Sequence, residues 1–130
     1  RRSDGDAQHH AQCQRQQFLM AETDPTGRRA HEPGAKLDAG KPRVGLVLGG
    51  FAQALREVAM VGTHGASKYT DNGWVEVPDG ISRYTDAMLR HYLAEAAGED
   101  FDDGSDLLHA AHVAWNALAR LELMMRQEDG

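Results

Sequence analysis

The chain has 130 residues, with 14 Lys and Arg against 20 Asp and Glu, and a formal net charge of -6. This acidic balance argues against a polynucleotide groove, which depends on neutralising phosphates. Cys13 is the single cysteine, so an intramolecular disulfide and a cysteine-based zinc finger are excluded. Because no signal-peptide pattern and no apolar stretch of membrane-spanning length is present, we expect a cytoplasmic protein that binds neither nucleic acid nor membrane.

The N-terminal part of the chain differs in composition from the rest. Residues 1–34 are rich in Gln, Arg, Asp, Gly and His and offer little apolar surface, which predicts a disordered or irregular arm. Pro25-Thr26-Gly27 and Glu32-Pro33-Gly34 are turn signals within it. Residues 35–126 remain as the folded domain. A domain of this size often gains stability by self-association, so we expect a homo-oligomer, either a dimer or a tetramer.

Apolar periodicity predicts the elements of the folded domain in chain order. A basic, turn-rich segment at residues 36–43 leads into the apolar run 44–48, which we expect to form a short extended piece. Helical spacing then predicts three helices, at about residues 50–69, 81–97 and 105–125. Ser105 is the predicted N-cap of the last helix. No strand run suited to a parallel sheet lies between the helices, so the sequence predicts an all-α fold, a small helical bundle.

Polar residues with informative spacing lie on the last two predicted helices. His109, His112 and Asn116 are spaced i, i+3 and i+7, so they share one helical face. His91 and Glu95 are i, i+4 neighbours on the preceding helix. A short loop makes the two helices antiparallel partners, so both polar faces can border one cleft.

The loop between these helices adds the carboxylates of Glu99, Asp102 and Asp103. Carboxylate oxygens suit Mg²⁺ or Mn²⁺, whereas imidazoles favour Mn²⁺ or a softer ion. A structural interpretation stays open on spacing alone. Acidic loops are usually solvated, and paired histidines on a helix are more often partly buried polar residues than ligands.

Basic residues offer the charge that a phosphate ligand needs. Lys36, Lys41, Arg43 and Lys68 can neutralise a triphosphate, although each taken singly is equally well explained as solvated surface. The chain lacks a Walker A loop, a G-x-G-x-x-G turn, an H-E-x-x-H helix and a G-x-S-x-G elbow. The enzyme classes that depend on those motifs are therefore excluded.

Four segments occur in an order that is typical of one family. They are Lys36-Leu-Asp-Ala-Gly-Lys-Pro-Arg43; Gly65-Ala-Ser-Lys-Tyr69 followed by Trp74; Arg90-His91; and Gly98-Glu-Asp-Phe-Asp102 through His109-Ala-Ala-His112 to Trp115-Asn116. Across about residues 36–121 the chain resembles the phage-associated dATP/dGTP diphosphohydrolase family. This resemblance implies an all-α fold related to MazG-type nucleotide pyrophosphohydrolases and dependence on Mg²⁺ or Mn²⁺. It also implies conversion of a purine deoxynucleoside triphosphate, dGTP or dATP, to the monophosphate and pyrophosphate, in the service of a phage that remodels its nucleotide pool.

The resemblance, together with the spacing above, assigns candidate roles to individual residues. His91 and Glu99 are the catalytic candidates. The metal-ligand candidates are Glu95, Glu99, Asp102, His109 and His112. The substrate-binding candidates are Lys36, Lys41, Arg43, Lys68, Arg90 and Asn116. MazG-type enzymes usually present Glu-x-x-Glu and Glu-x-x-Asp on paired helices, where this chain has His109 and His112, so the ligand set stays open.

Two other functions remain open at this point. An HD-type triphosphohydrolase also mixes His and Asp around metals, although no adjacent His-Asp pair occurs in the chain. A non-catalytic helical module for nucleotide sensing or oligomerisation would use the same His and acidic residues structurally. Metal-dependent turnover and the identity of the product separate these alternatives.

Overall fold

The computed structural model describes residues 22–128, together with the isolated positions Gly5 and Gln8. The chain divides into two compact units, Arg1–Val44 and Gly45–Gly130. Most of the predicted arm therefore lies outside the described residues, and its boundary at residue 34 stays a prediction.

Residues 22–44 of the first unit consist of turns without a helix or strand. The Asp24 carboxylate organises these turns. Its Oδ1 accepts hydrogen bonds from the Thr26 amide at 2.6 Å and the Thr26 hydroxyl at 2.5 Å, and its Oδ2 accepts one from the Lys36 amide at 2.7 Å. Gly27 and Gly34 both have φ of +83°, which confirms the two predicted turns. The start of the basic segment is thus held by a carboxylate twelve residues earlier in the chain.

The second unit is helical, which confirms the all-α prediction. Its helices are α1 (Gly45–Leu48), α2 (Ala52–Lys68), α3 (Gly80–Ala96) and α4 (His109–Glu128), with a 3₁₀ helix at Gly73–Glu76. Among the described residues, no helix combines the length and apolar character needed to cross a bilayer.

The prediction of an extended piece at residues 44–48 is wrong, because Gly45–Leu48 forms a helical turn. The carbonyl of Gly45 accepts the amide of Gly49 at 2.9 Å, and the carbonyl of Val47 accepts the amide of Phe51 at 3.0 Å. No strand of the described chain pairs with this segment, so its backbone groups are satisfied locally through helical hydrogen bonds.

Helix α4 is the central element of the second unit and packs most extensively against α3, and then against α2. The register of α3 and α4 is antiparallel. Thr85 Oγ1 accepts a hydrogen bond from Arg120 Nε at 2.9 Å near one end, and His91 meets His109 near the other. Because of this alignment, His91 of α3 and His109 of α4, which lie on the predicted polar faces, are at the same end of the helix pair.

Three aromatic rings fix the 3₁₀ helix to the bundle. Trp74, Tyr84 and Trp115 pack edge to face, with ring centroids 6.4, 5.8 and 5.6 Å apart. The Tyr84 hydroxyl also donates to the Trp74 carbonyl at 3.2 Å. Trp74 is therefore a packing residue in this structure.

The best-buried positions of the described chain carry small or polar side chains. The buried apolar residues are Val61, Ala111 and Ala119, and the buried polar residues are Asp24, His109, His112 and Asn116. Five of these seven residues lie on α4, and four of the five, His109, His112, Asn116 and Ala119, follow one another at intervals of about one turn on one face of the helix. The most protected face of α4 is therefore largely polar.

Candidate metal centre

The loop between α3 and α4 folds back on itself and begins at Gly98, whose φ of +102° allows the chain to leave α3. Phe101 and Leu108 form an isolated antiparallel bridge. Within it, the amide of Asp102 donates to the Leu107 carbonyl at 2.8 Å, and the amide of His109 donates to the Asp100 carbonyl at 2.8 Å. This pairing returns the Asp102 carboxylate to the first turn of α4.

Helix α4 consequently begins at His109 rather than near Ser105, so the predicted start is four residues too early. Ser105 does not cap the helix. Its amide and hydroxyl both donate to Asp102 Oδ2, at 2.9 and 2.7 Å, and close a turn inside the loop. Ser105 therefore hydrogen-bonds to a carboxylate three residues earlier in the chain instead of capping the helix. Serine forms such local hydrogen bonds readily, and they compete with capping.

Three imidazoles meet beside this loop. His91 Nδ1 lies 2.8 Å from His109 Nδ1, so one nitrogen donates to the other. The His91 ring also stacks on His112, with centroids 4.3 Å apart and planes 8° from parallel. His109 and His112 retain only 5% and 9% of their accessible surface. The predicted convergence of these histidines across the helix pair is present in the structure.

Asp102 and Ser105 connect to this histidine cluster through His112. The Ser105 hydroxyl lies 2.7 Å from His112 Nε2, and Asp102 Oδ2 lies 3.7 Å from the same nitrogen. Asn116, one turn further along α4, donates its side-chain amide to the His112 carbonyl at 2.8 Å. One edge of His112 is thus fixed by the acidic loop.

His109 Nε2 is the buried atom of the cluster that has no hydrogen-bond partner among the described residues. The nearest charged group is the exposed Glu99 carboxylate, whose Oε2 lies 3.7 Å away. That separation exceeds hydrogen-bonding distance. A buried polar atom without a partner costs about 1–3 kcal/mol, so such an atom in a native site calls for a bound ligand or another explanation.

The charge states of these groups suit cation binding. Burial lowers the pKa of His91, and the neighbouring His112 lowers it further. Burial also lowers the pKa of His112, against the opposing effect of Asp102. Burial acts to raise the pKa of Asp102, but the hydrogen bonds from Ser105 outweigh it and hold this pKa below its usual range. At neutral pH the site therefore offers neutral imidazoles beside an ionised carboxylate, the forms that coordinate metals.

The donor atoms of His91, Asp102 and His109 are close enough together to share one ion. Taking one ligand atom from each residue, all three lie within 4.8 Å of one another. Imidazole and carboxylate donors together suit a divalent transition metal. The unpartnered His109 Nε2 is a second and independent observation that fits a cation here.

The structure brings together five of the predicted site residues, which are His91, Glu99, Asp102, His109 and His112. Glu95, a predicted ligand, is exposed, and it does not belong to the group of residues whose donor atoms all lie within 4.8 Å of one another. Arg90 is exposed on α3, next to His91. Lys68 ends α2, with its ammonium 5.3 Å from the centre of the Tyr69 ring.

Three of the predicted substrate-binding residues lie in the first unit. Lys36, Lys41 and Arg43 are all exposed there. Lys41 Nζ forms an ion pair with Glu22 Oε1 at 3.2 Å, and the Lys36 amide is held by Asp24.

Sequence reasoning did not find Ser105 as a member of the cluster. Its spacing from Asp102, Asp-x-x-Ser, is the signal of a side-chain turn and was available in the sequence. His64 on α2 was also missed, and its proximity contributes to lowering the pKa of His112. No local pattern links His64 to α4, because the contact arises from tertiary packing.

Comparison with known proteins agrees with the sequence resemblance. A family model described as dATP/dGTP diphosphohydrolase, N-terminal, matches residues 31–130. A curated protein named dATP/dGTP diphosphohydrolase, from Salmonella phage PMBT28, is 38% identical over 81 residues, which are 62% of this chain. The chain spans about a quarter of that relative, 26% of its length. No solved structure matches the chain. Because the family model covers well over half of the sequence, the chain belongs to the dATP/dGTP diphosphohydrolase family and corresponds to its N-terminal region.

Proposed function

We propose that this chain holds the metal site of a hydrolase that converts a purine deoxynucleoside triphosphate, dGTP or dATP, and water into the monophosphate and pyrophosphate. The observation that carries the proposal is the buried, unpartnered His109 Nε2, next to His91 and Asp102 and within reach of Glu99. Membership of the family and the name of the phage relative support the substrate class.

His91, Asp102 and His109 are the proposed ligands of a divalent cation, either Mg²⁺ or Mn²⁺. Two imidazoles and one carboxylate favour Mn²⁺ over Mg²⁺, which prefers oxygen ligands. Glu99 is exposed, and its Oε2 lies 3.7 Å from His109 Nε2, so its carboxylate stands beside the proposed ligands. Glu95 is left out of the proposed set because it is exposed and outside the donor cluster.

A bound divalent cation supplies charge neutralisation to the triphosphate, whose negative charges otherwise repel a nucleophile. Glu99 is the proposed general base. Its carboxylate takes a proton from water while the water oxygen bonds to the α-phosphorus. The bond from that phosphorus to the bridging oxygen breaks, and its electron pair leaves with pyrophosphate. His91, the other catalytic candidate, belongs to the donor group with Asp102 and His109, so we assign it to holding the cation. The hydrogen bond between its Nδ1 and His109 Nδ1 has to break when both residues bind the ion, because two neutral imidazoles joined through Nδ1 cannot both offer a lone pair on Nε2.

The basic residues are proposed to bind the phosphates, since phosphate recognition needs cations that side chains can supply. They are Lys68 and Arg90 in the second unit, which also holds the proposed metal ligands. A phosphate-binding role for Lys36, Lys41 and Arg43, which lie in the first unit, stays a prediction. Asn116 was predicted to contact substrate, but its amide nitrogen is bonded to the His112 carbonyl, so we propose that it supports α4 instead.

Product analysis tests the proposed reaction directly. Purified protein is incubated with each of the eight common ribo- and deoxyribonucleoside triphosphates, with Mg²⁺, with Mn²⁺ and with a chelator. We expect monophosphate and pyrophosphate from dGTP or dATP, and only with a divalent ion. Free triphosphate as the product would identify the HD-type reaction instead. Nucleotide binding without metal-dependent turnover would favour the sensing or oligomerisation module.

A homo-oligomer, dimer or tetramer, is part of the proposal. Among the described residues no large side chain is fully buried, whereas Leu46, Leu48, Phe51, Leu118 and Leu121 of the second unit are all more than half exposed. Exposed apolar surface of this kind commonly packs against another protein surface, and a second copy is the occupant proposed here. Light scattering coupled to gel filtration measures the mass. A monomer at micromolar concentration would contradict this part of the proposal.

Two broader assignments rest on the family. We place the reaction in the host cytoplasm, where a phage enzyme meets the nucleotide pool. We also propose that the helical unit is related to the MazG-type pyrophosphohydrolases, with histidines replacing two of their carboxylates on the last helix. Superposition of an experimental structure of the second unit on a MazG-type enzyme tests the relationship.

A further inference from the structure

Ser105 occupies the junction between the acidic loop and the histidine cluster. Its hydroxyl oxygen lies 2.7 Å from Asp102 Oδ2 and 2.7 Å from His112 Nε2. Its amide donates to the same Asp102 oxygen at 2.9 Å. A single residue therefore joins the proposed ligand Asp102 to the buried imidazole of His112.

The direction of each hydrogen bond follows from the chemistry of the three groups. An ionised carboxylate accepts hydrogen bonds and cannot donate them, so the Ser105 hydroxyl must donate its one proton to Asp102. The Ser105 oxygen is then left as an acceptor. The short contact to His112 can only be a hydrogen bond if His112 Nε2 carries the proton and donates it to Ser105.

This direction fixes the tautomer of His112. A neutral imidazole has one protonated nitrogen, so the lone pair of His112 lies on Nδ1. Its Nε2 is committed to Ser105 and is not free to coordinate a cation. In this arrangement His112 stands behind the ion site, and it is connected to the site through Ser105 and Asp102.

The same bonds also orient Asp102. Both donors from Ser105 converge on Oδ2, whereas Oδ1 receives no hydrogen bond from the described residues. Oδ1 is therefore the oxygen left for a cation shared with His91 and His109. Loss of a group that orients a metal ligand in this way commonly costs about ten- to a hundredfold in metal affinity or activity.

We propose that Ser105 is a positioning residue that holds His112 in the tautomer protonated on Nε2 and turns Asp102 Oδ1 toward the cation site. The consequence for metal binding rests on the proposed function, whereas the assignment of the tautomer does not. Ser105 does not touch the reacting atoms, and its effect is transmitted through Asp102.

The tautomer is measured on the wild-type chain without metal. Long-range ¹H–¹⁵N correlation spectra of ¹⁵N-labelled protein distinguish imidazoles that are protonated on Nε2 from those protonated on Nδ1. We expect His112 to be protonated on Nε2. Protonation on Nδ1 in the wild type would overturn the proposal without the need for any variant.

Variants then test whether Ser105 is the cause. Ser105→Ala removes the hydroxyl but keeps the amide that donates to Asp102, and Ser105→Thr keeps both. We expect the alanine variant to show a mixture of His112 tautomers and to lose roughly ten- to a hundredfold in Mn²⁺ affinity, with threonine restoring both. Ser82→Ala, at an exposed position on α3, is the matched control and should change neither.

Turnover provides an additional measurement. If the proposed reaction is found, Ser105→Ala should lower kcat and leave KM for the nucleotide unchanged, because the hydroxyl does not contact substrate. If no triphosphate is hydrolysed, the proposed function fails, while the tautomer and Mn²⁺ affinity still decide the role of Ser105. Unchanged tautomer and Mn²⁺ affinity in a folded Ser105→Ala protein would overturn that role.

Discussion

Replacing His109 with leucine separates the effect of this buried imidazole on folding stability from its proposed role in binding the cation. Leucine has a side chain of similar volume to that of histidine, but it is apolar and has no nitrogen atoms. The substitution removes the 2.8 Å hydrogen bond to His91 Nδ1 and also removes the unpartnered Nε2. These two losses act on stability in opposite directions.

Typical energies of hydrogen bonds and of buried polar atoms give the size of each effect. Losing one neutral hydrogen bond costs about 1 kcal/mol, and removing a buried polar atom without a partner returns about 1–3 kcal/mol. His91 is only half-buried, so water can replace its lost partner. Without metal, His109→Leu should therefore be neutral or more stable than the wild type, by up to about 2 kcal/mol.

His112→Leu is the matched control, three residues further along the same helix. His112 is also buried, but its Nε2 has Ser105 as a partner at 2.7 Å. This substitution loses a hydrogen bond without relieving an unpartnered atom, so it should destabilise the metal-free chain by about 1 kcal/mol. In a helical unit of this size, 1 kcal/mol corresponds to roughly 4–8 °C in the melting temperature.

Thermal unfolding followed by circular dichroism, with chelator and then with Mn²⁺, is the assay. Mn²⁺ at a hundred times its Kd should stabilise the wild type by about 2.7 kcal/mol, and should not stabilise His109→Leu. A metal-free His109→Leu protein as unstable as His112→Leu would show that His109 Nε2 is satisfied in solution. A full Mn²⁺-dependent stabilisation of His109→Leu would remove His109 from the ligand set.

Three further predictions concern other parts of the molecule. Glu99→Gln should abolish most turnover, because it removes the proposed base, and should leave the melting temperature within about 2 °C, because this side chain is 71% exposed. Glu57→Gln, on the exposed face of α2, is the control and should retain activity. Equal kcat values for the two variants would exclude Glu99 as the base. The Thr26 hydroxyl and the backbone amides of Lys36, Thr26 and Arg28 hold the pKa of Asp24 below its usual range. The carboxylate therefore stabilises its turn throughout the neutral range and loses this effect only as pH falls through the lowered pKa. The Thr26 amide ¹H shift, followed during acid titration, should move at a pH below the ordinary Asp range. Gly65→Ala should stabilise α2 by about 0.5–1 kcal/mol, because nothing lies within 4 Å of an added Cβ, and a lowered midpoint in urea would contradict this.

The three long helices could be predicted from the sequence because their signals are local. Apolar periodicity identified α2 and α3 to within two residues at each end, and Gly98 ended α3 as expected. The start of α4 could not be predicted in the same way. Ser105 is a suitable N-cap residue, but the antiparallel bridge between Phe101 and Leu108 keeps the backbone around it out of the helical conformation, so the helix begins only after Leu108. Non-local pairing therefore decided this boundary.

The candidate site divides in a similar way. Spacing on one helix placed His109 and His112 on a common face, and the antiparallel loop connection brought His91 to them. The contact of Glu99 with His109 also follows from the loop. The exclusion of Glu95 could not be predicted, because an i, i+4 relation to His91 sets a position along the helix but not the rotation of α3 against α4.

The distribution of burial suggests why a cation should matter for folding as well as for chemistry. A packed helix usually gives its best-protected face to large apolar side chains, because their burial is the main favourable contribution to folding. On α4 that face carries His109, His112 and Asn116, with only Ala111 and Ala119 as apolar members. Each buried imidazole must find a partner to avoid a desolvation cost, and His109 Nε2 finds none among the described residues. Such a helix is less stable alone than its length suggests, and the proposed ion, bound by the native state alone, would relieve that cost.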